Sequence, residues 1–140
     1  KQILPHEVIK KIGIEKYHNE AYAYSSTMLG PDNEKFGRAC VSQVTGTAAW
    51  MDVVSTQYIL GIRPTVKGLL IDPCIPAEWE KFTIKRIYRG CELSIEVVNP
   101  DKVQHGVKEI VFNGKPIDGA TITPELLKDC KKAIVKVVMG

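Results

Sequence analysis

Gly61-Ile62-Arg63-Pro64-Thr65-Val66-Lys67-Gly68-Leu69-Leu70-Ile71-Asp72-Pro73 is the stretch in which the chain changes its hydrophobic period. Upstream, from Ile3 to about Ile62, apolar residues recur at the spacing of helix faces; downstream, from Leu69 to the end, short alternating runs are punctuated by Pro, Gly and Asn-Gly, the pattern of strands and turns. The break near Arg63-Pro64-Thr65 divides the chain into a helical part, 1–65, and a β part, 66–140. The helical part holds three expected helices. Pro5–Gly13 has Pro in the first turn and Gly at the end, and Ala21–Leu29 is stopped by Gly30-Pro31. Thr45–Gly61 begins on a hydroxyl and small residues, has an apolar body and closes on glycine. Its circumference is mostly apolar, so it needs other helices to cover it, more than a short chain supplies.

In the β part, Gly68–Pro73 reads as a short buried strand ended by a turn. Phe82–Arg89 and Cys91–Val97 alternate apolar and polar side chains and should pair through the turn at Gly90. Val107–Phe112 followed by Asn113-Gly114 is a hairpin signal, because Asn-Gly accommodates the positive φ angles of a type I′ turn, and Ala133–Val138 completes the set. The fold class expected is α+β: helices, then an antiparallel β-sandwich or jelly-roll-like module.

The chain has 140 residues, 44% of them hydrophobic and 25% charged, and its mean hydropathy is -0.07. That is a globular composition with enough apolar material for a core, and no apolar run approaches the length of a bilayer crossing. No membrane association is expected. The first residues, Lys1–Glu7, lack an initiator Met and the apolar centre of a secretory signal, so the chain is expected to be a piece of a longer polypeptide. The net charge of +3 divides into +1 up to Thr65 and +2 beyond it, so neither part is a basic arm. The short cluster Lys85-Arg86-Ile87-Tyr88-Arg89 lies in a strand-like run, and nucleic acid is not an expected partner. Cys40, Cys74, Cys91 and Cys130 form no CxxC pair and have no His at ligand spacing, so neither a metal site nor a disulfide framework is expected; each is read as a small buried hydrophobe in a reducing, cytoplasmic setting.

The start of the third helix, Thr45-Gly46-Thr47, is the most suggestive place for chemistry. Hydroxyls, an unobstructed glycine backbone and free helix N–H groups make an anion pocket suited to phosphate, although an ordinary N-cap with close packing would look the same. Breaking a glycosidic bond with water requires two carboxylates, and Glu20, Asp52 and Asp72 are the candidates by position. Each also has a structural reading: Glu20 as a helix cap, Asp52 as an ion-pair partner and Asp72 before Pro73 as a turn residue. His6, His18 and His105 accompany no Ser or Cys motif. Tyr22, Tyr24, Trp50 and Trp79 could stack on sugar rings, but core packing is the default reading for all four.

Five stretches together carry a resemblance. Asn19-Glu20-Ala21-Tyr22-Ala23-Tyr24, Gly37-Arg38, Val44-Thr45-Gly46-Thr47-Ala48-Ala49-Trp50, Leu60-Gly61-Ile62-Arg63-Pro64 and Gly68–Trp79 resemble, in order, the C-terminal region of the inverting glycoside phosphorylases of glycoside hydrolase family 94, which include cellobiose, cellodextrin and chitobiose phosphorylases. The resemblance runs over roughly residues 14–115. It implies the last helices of a catalytic (α/α)6 barrel over 1–65, followed by a C-terminal antiparallel β domain over 66–140. It also implies phosphorolysis of β-glucosidic bonds of cello-oligosaccharides, giving α-glucose 1-phosphate without metal or organic cofactor, in a homodimer of the full-length protein. Phosphate is already an anionic nucleophile, so one carboxylic acid for the leaving oxygen suffices. The resemblance places that Asp upstream of this chain, which would leave the isolated chain inactive. By the same resemblance Thr45 and Gly46 bind phosphate, and Ser26 stands where many members carry a Gln that touches the donor sugar. That replacement, with Ser42-Gln43-Val44 ahead of the Thr-Gly motif, inclines the reading towards a cellodextrin phosphorylase. The alternatives are a non-catalytic carbohydrate-binding or interaction β module and a glucan-synthesising relative with the same terminal domains.

Overall fold

The computed structural model describes residues 4–20, 23–42 and 45–140, and they form two compact units, Lys1–Asp52 and Val53–Gly140. Ala21, Tyr22, Gln43 and Val44 lie outside the described residues, as does the side chain of Thr45.

In the first unit, α1 (Pro5–Ile12) has Glu7 in its first turn and Lys10 and Lys11 in its last, a charge order that complements the helix dipole. Gly13 ends it as expected, at φ +82°, its N–H donating to the Ile9 carbonyl at 2.8 Å. A single turn, α2 (Ile14–Tyr17), follows and buries Tyr17. The helix expected over Ala21–Leu29 is not found in its described part. Instead β1 (Thr27–Met28) pairs antiparallel with β2 (Ala39–Cys40). The reason is local competition for backbone groups: the Ser25 hydroxyl bonds the carbonyls of Thr27 and Cys40 and accepts the Cys40 N–H at 3.2 Å, holding the segment extended.

The expected helix Thr45–Gly61 is present with a change of winding. It runs as α3 (Thr45–Val53) and then as π-helical turns over Val54–Ile59, where Leu60 N–H reaches five residues back to the Ser55 carbonyl at 2.9 Å. Val54, Thr56 and Ile59 are β-branched and restricted at χ1 in a regular α-helix, and the widened turns fall on them.

The second unit is a two-sheet sandwich around one core. A three-stranded sheet is built of β3 (Ile62–Thr65), β4 (Gly68–Ile71) and β9 (Thr121–Ile122). A five-stranded sheet has the order β5-β6-β10-β7-β8, from β5 (Lys81–Tyr88), β6 (Cys91–Val98), β7 (Glu109–Phe112), β8 (Lys115–Ile117) and β10 (Lys132–Val138). The two hairpins form where turn chemistry puts them. Arg89 and Gly90 have φ of 49° and 80°, and Asn113 and Gly114 have 47° and 81°, the two consecutive positive values a type I′ turn requires. Leu93, Ile95 and Val97 of β6 face inward with Ala133, Val135 and Val137 of β10 and with Ile110 of β7. Ile62, Leu69, Ile71 and Ile122 of the other sheet bury against the same cluster.

One expectation is corrected here. The β domain is not wholly antiparallel: β10 lies between β6 and β7, antiparallel to β7 but parallel to β6, with Ala133 opposite Leu93 and Val137 opposite Val97. The chain between them carries β7, β8, β9 and a 3₁₀ turn (Glu125–Leu127), enough length to cross over and re-enter in the same direction.

Candidate functional site

The candidate anion pocket begins at the first residues of α3. Gly46 is exposed, with no heavy atom within 4 Å of the position a Cβ would take, so its backbone is open to approach. The first N–H groups of a helix have no partner within it, and those of Thr45, Gly46 and Thr47 occupy that position. Trp50, one turn further on, is 69% exposed, and Trp79 lies edge-on to Phe82 at a ring separation of 6.4 Å and is 41% exposed. Trp79 thus packs at the edge of the core through Phe82, while Trp50 stands exposed on α3. Tyr24 is half-buried.

Ser26 sits at the entrance to β1. Its N–H donates to the Val41 carbonyl at 3.0 Å and its hydroxyl to the Cys40 carbonyl at 3.3 Å, so the β1–β2 hairpin fixes where this side chain starts.

Within the first unit, the same hairpin and α2 enclose an open cleft of about 880 Å³. Its charged lining is Glu15, His18, Glu20, Lys35 and Arg38, with Ser42 at its edge. The Ser42 hydroxyl donates to the Glu20 carboxylate and, with a backbone bond behind it, holds that carboxyl below the usual range. The Glu20 carboxylate is thus oriented by Ser42 on the wall of the cleft. Lys35 and Arg38 reach this cleft through the turn between β1 and β2, and His18 through a left-handed residue at φ 56° after α2. Spacing along the sequence gave no role to Arg38 or Lys35. The signal that could have found Arg38 was its place beside Gly37, since a basic residue after a positive-φ glycine is set by the turn.

The other carboxylate candidates separate. Asp72 lies 3.8 Å from Arg63, whose guanidinium also stacks on Tyr58 at 5.2 Å, and its own N–H donates to the Gly61 carbonyl at 2.8 Å. Asp72 is thereby a turn residue with an ion-pair partner. Asp52 closes the first unit on α3. His6 lies 3.4 Å from Glu7, and His105 forms an isolated β-bridge with Cys74. Among the described residues no three His, Cys, Asp or Glu side chains gather as metal ligands would, and no helix is long and apolar enough to cross a membrane. Of the cysteines, Cys91 is buried as expected, but Cys74 is exposed because it follows the Pro73 turn.

Residues 1–61 match the family model described as Glycosyl hydrolase 94 superfamily, catalytic domain, and residues 62–117 match Glycosyl hydrolase family 65, C-terminal domain. The chain belongs to the glycosyl hydrolase 94 family. It is 44% identical over 106 residues to an N,N'-diacetylchitobiose phosphorylase of Vibrio proteolyticus, covering 76% of this chain and 13% of that protein. It is 39% identical over 111 residues to the protein of that name from Vibrio furnissii, covering 79% and 14%. Against a solabiose phosphorylase of Paenibacillus borealis it is 40% identical over 100 residues, covering 71% and 13%. The chain therefore spans about one-seventh of the length of these relatives. In this glycosyl hydrolase 94 chain the catalytic-domain match holds Glu20, Ser26, Arg38, Thr45 and Gly46, and the second match starts at β3.

Proposed function

We propose that the full-length protein containing this chain is an inverting glycoside phosphorylase that uses inorganic phosphate to split a β-glycosidic bond, with Thr45 and Gly46 among its phosphate ligands. The observation that carries the proposal is the Thr-Gly start of α3, open at Gly46, inside a segment that matches the family's catalytic domain. Phosphate attacks the anomeric carbon from the face opposite the leaving sugar. The helix amides and the Thr45 hydroxyl lower the cost of holding its charge, and an Asp carried outside this chain protonates the leaving oxygen. The reaction as proposed takes no metal or organic cofactor. The enzyme is proposed to be a cytoplasmic homodimer.

Cello-oligosaccharides are the substrates that Ser26 and Ser42-Gln43-Val44 favour; the Vibrio relatives favour a second reading, an N-acetylglucosaminyl disaccharide. Incubating the full-length protein with cellobiose, cellotriose or diacetylchitobiose should release a sugar 1-phosphate only when phosphate is present. Whichever sugar reacts decides between the two readings. Release of free sugar at the same rate without phosphate rejects phosphorolysis altogether.

Thr45→Ala removes one charge-assisted hydrogen bond to the anion, a loss of about 1.5–3 kcal/mol. The phosphate KM should then rise about 10- to 150-fold. The sugar KM should stay within about twofold, since uniform loss of binding falls on the ligand that is touched. Steady-state kinetics with each substrate varied in turn measure both, and an unaltered phosphate KM removes Thr45 from the site.

A further inference from the structure

The second unit holds two thiols, packed in and against its core, that the proposed reaction does not use. Cys91 opens β6 directly after the Arg89-Gly90 turn and is fully buried; Cys130 stands two residues ahead of β10 and is half-buried. They are 39 positions apart in sequence, yet the parallel register of β10 on β6, with Lys132 opposite Glu92, brings their sulfurs to 2.9 Å. This separation needs only a sub-ångström approach to become a bond. Cys91 is the buried apolar side chain expected of it, and the contact adds a thiol partner within its reach.

We propose that Cys91 and Cys130 form a reversible disulfide site for low-molecular-weight disulfides, clamping the start of β6 to the segment that enters β10. Cys130 is the point of entry. It is the more exposed of the two, and burial, with the Cys130 contact behind it, pushes the Cys91 thiol up to about 11, which disfavours Cys91 for the first attack on an external disulfide. The residues just before Cys130 line a surface cleft of about 430 Å³ with Arg89 and Lys128 as cations and Glu125 and Asp129 as carboxylates, a mixed lining that matches a zwitterionic, peptide-like disulfide. The Cys130 thiolate attacks one sulfur of the oxidant, forming a mixed disulfide and releasing one thiolate, which takes up a proton. Cys91 then displaces the second thiolate from Cys130, and the Cys91 proton passes to that departing thiolate. The two protein thiols are oxidised by two electrons, and one oxidant disulfide is reduced to two thiols.

The test treats the full-length protein with oxidised glutathione, alkylates the remaining thiols after denaturation and maps the cysteines by mass spectrometry. Exposed Cys74 is the internal control for oxidant reactivity. The expected product is a cross-linked peptide pair containing Cys91 and Cys130, lost on reduction and absent from Cys130→Ser. In Cys91→Ser, Cys130 should instead stop at the mixed disulfide with glutathione. In the oxidised native chain the Glu92 amide, which donates to the Lys131 carbonyl at 2.9 Å, should exchange about tenfold more slowly, because the clamp suppresses opening at that junction. Cys130 carrying glutathione while Cys91 is alkylated in the native sequence would overturn the proposal. So would both remaining free while Cys74 reacts.

Discussion

Gly61→Ala should cost the second unit about 2–5 kcal/mol, because the substitution combines a left-handed backbone with a collision against main-chain atoms. Gly61 has φ +73°, and an added Cβ would stand 2.2 Å from the carbonyl carbon and oxygen of Asp72 and 2.3 Å from the nitrogen of Pro73. None of these atoms can rotate aside. Relief requires the chain before β3 to part from the turn after β4, which breaks the bond from Asp72 N–H to the Gly61 carbonyl, 2.8 Å, and strains the neighbouring one from Cys74 N–H to Ile59, 2.9 Å. Amide exchange of the full-length protein should therefore show lost protection at Asp72 and Cys74, with a lower melting transition. Gly90→Ala separates the two contributions: its φ is +80° but nothing lies within 4 Å of its Cβ, so it should cost only the backbone part, about 1–2 kcal/mol. Equal losses at the two positions would show that the collision at Gly61 is absorbed and the account of it is wrong.

How much of this could be read beforehand depends on whether the deciding interaction is local. The β5–β6 and β7–β8 hairpins are legible because period-two alternation and the turns at Arg89-Gly90 and Asn113-Gly114 act within a few residues. The direction of β10 is not. An alternating strand buries the same residues whichever way it runs, so Ala133, Val135 and Val137 fit β6 in parallel as well as they would have fitted it reversed. Thr27 and Met28 carried apolar spacing that a helix could use, and two serine hydroxyls bonding across to Cys40 overrode it. Gly61 looked like a helix stop; its reason for being glycine is a backbone eleven residues later. The same division holds at the site. The Thr-Gly start of α3 is visible from cap chemistry, whereas Glu20, Lys35, Arg38 and Ser42 share a cleft only because the β1–β2 hairpin folds back on α2. The Cys91–Cys130 contact follows from strand register and was invisible to spacing.

Asn99→Ala should destabilise the β domain by about 2–5 kcal/mol, although it deletes a small side chain, because three main-chain groups lose their partner at once. Asn99 follows β6 and is 2% exposed. Its amide nitrogen donates to the carbonyls of Trp79 at 3.2 Å and Val103 at 2.8 Å, and its side-chain oxygen accepts the Val103 N–H at 3.0 Å. One side chain thus ties the segment entering β5 to the loop leaving β6, beside the Lys81–Val98 pair that starts the hairpin. Alanine leaves two carbonyls and one N–H without their protein partner, at about 1–3 kcal/mol for each group that water does not recover. Asn99→Asp is the sharper test. It keeps the volume and the acceptor for Val103 N–H but removes both donors and turns a carboxylate towards two carbonyl oxygens, so at neutral pH it should melt lower than the alanine variant. If shape filling were the role of Asn99, aspartate would be nearly silent and alanine the damaging change; the order of the two melting temperatures, together with exchange at the Val103 amide, distinguishes a hydrogen-bonded tie from a filler.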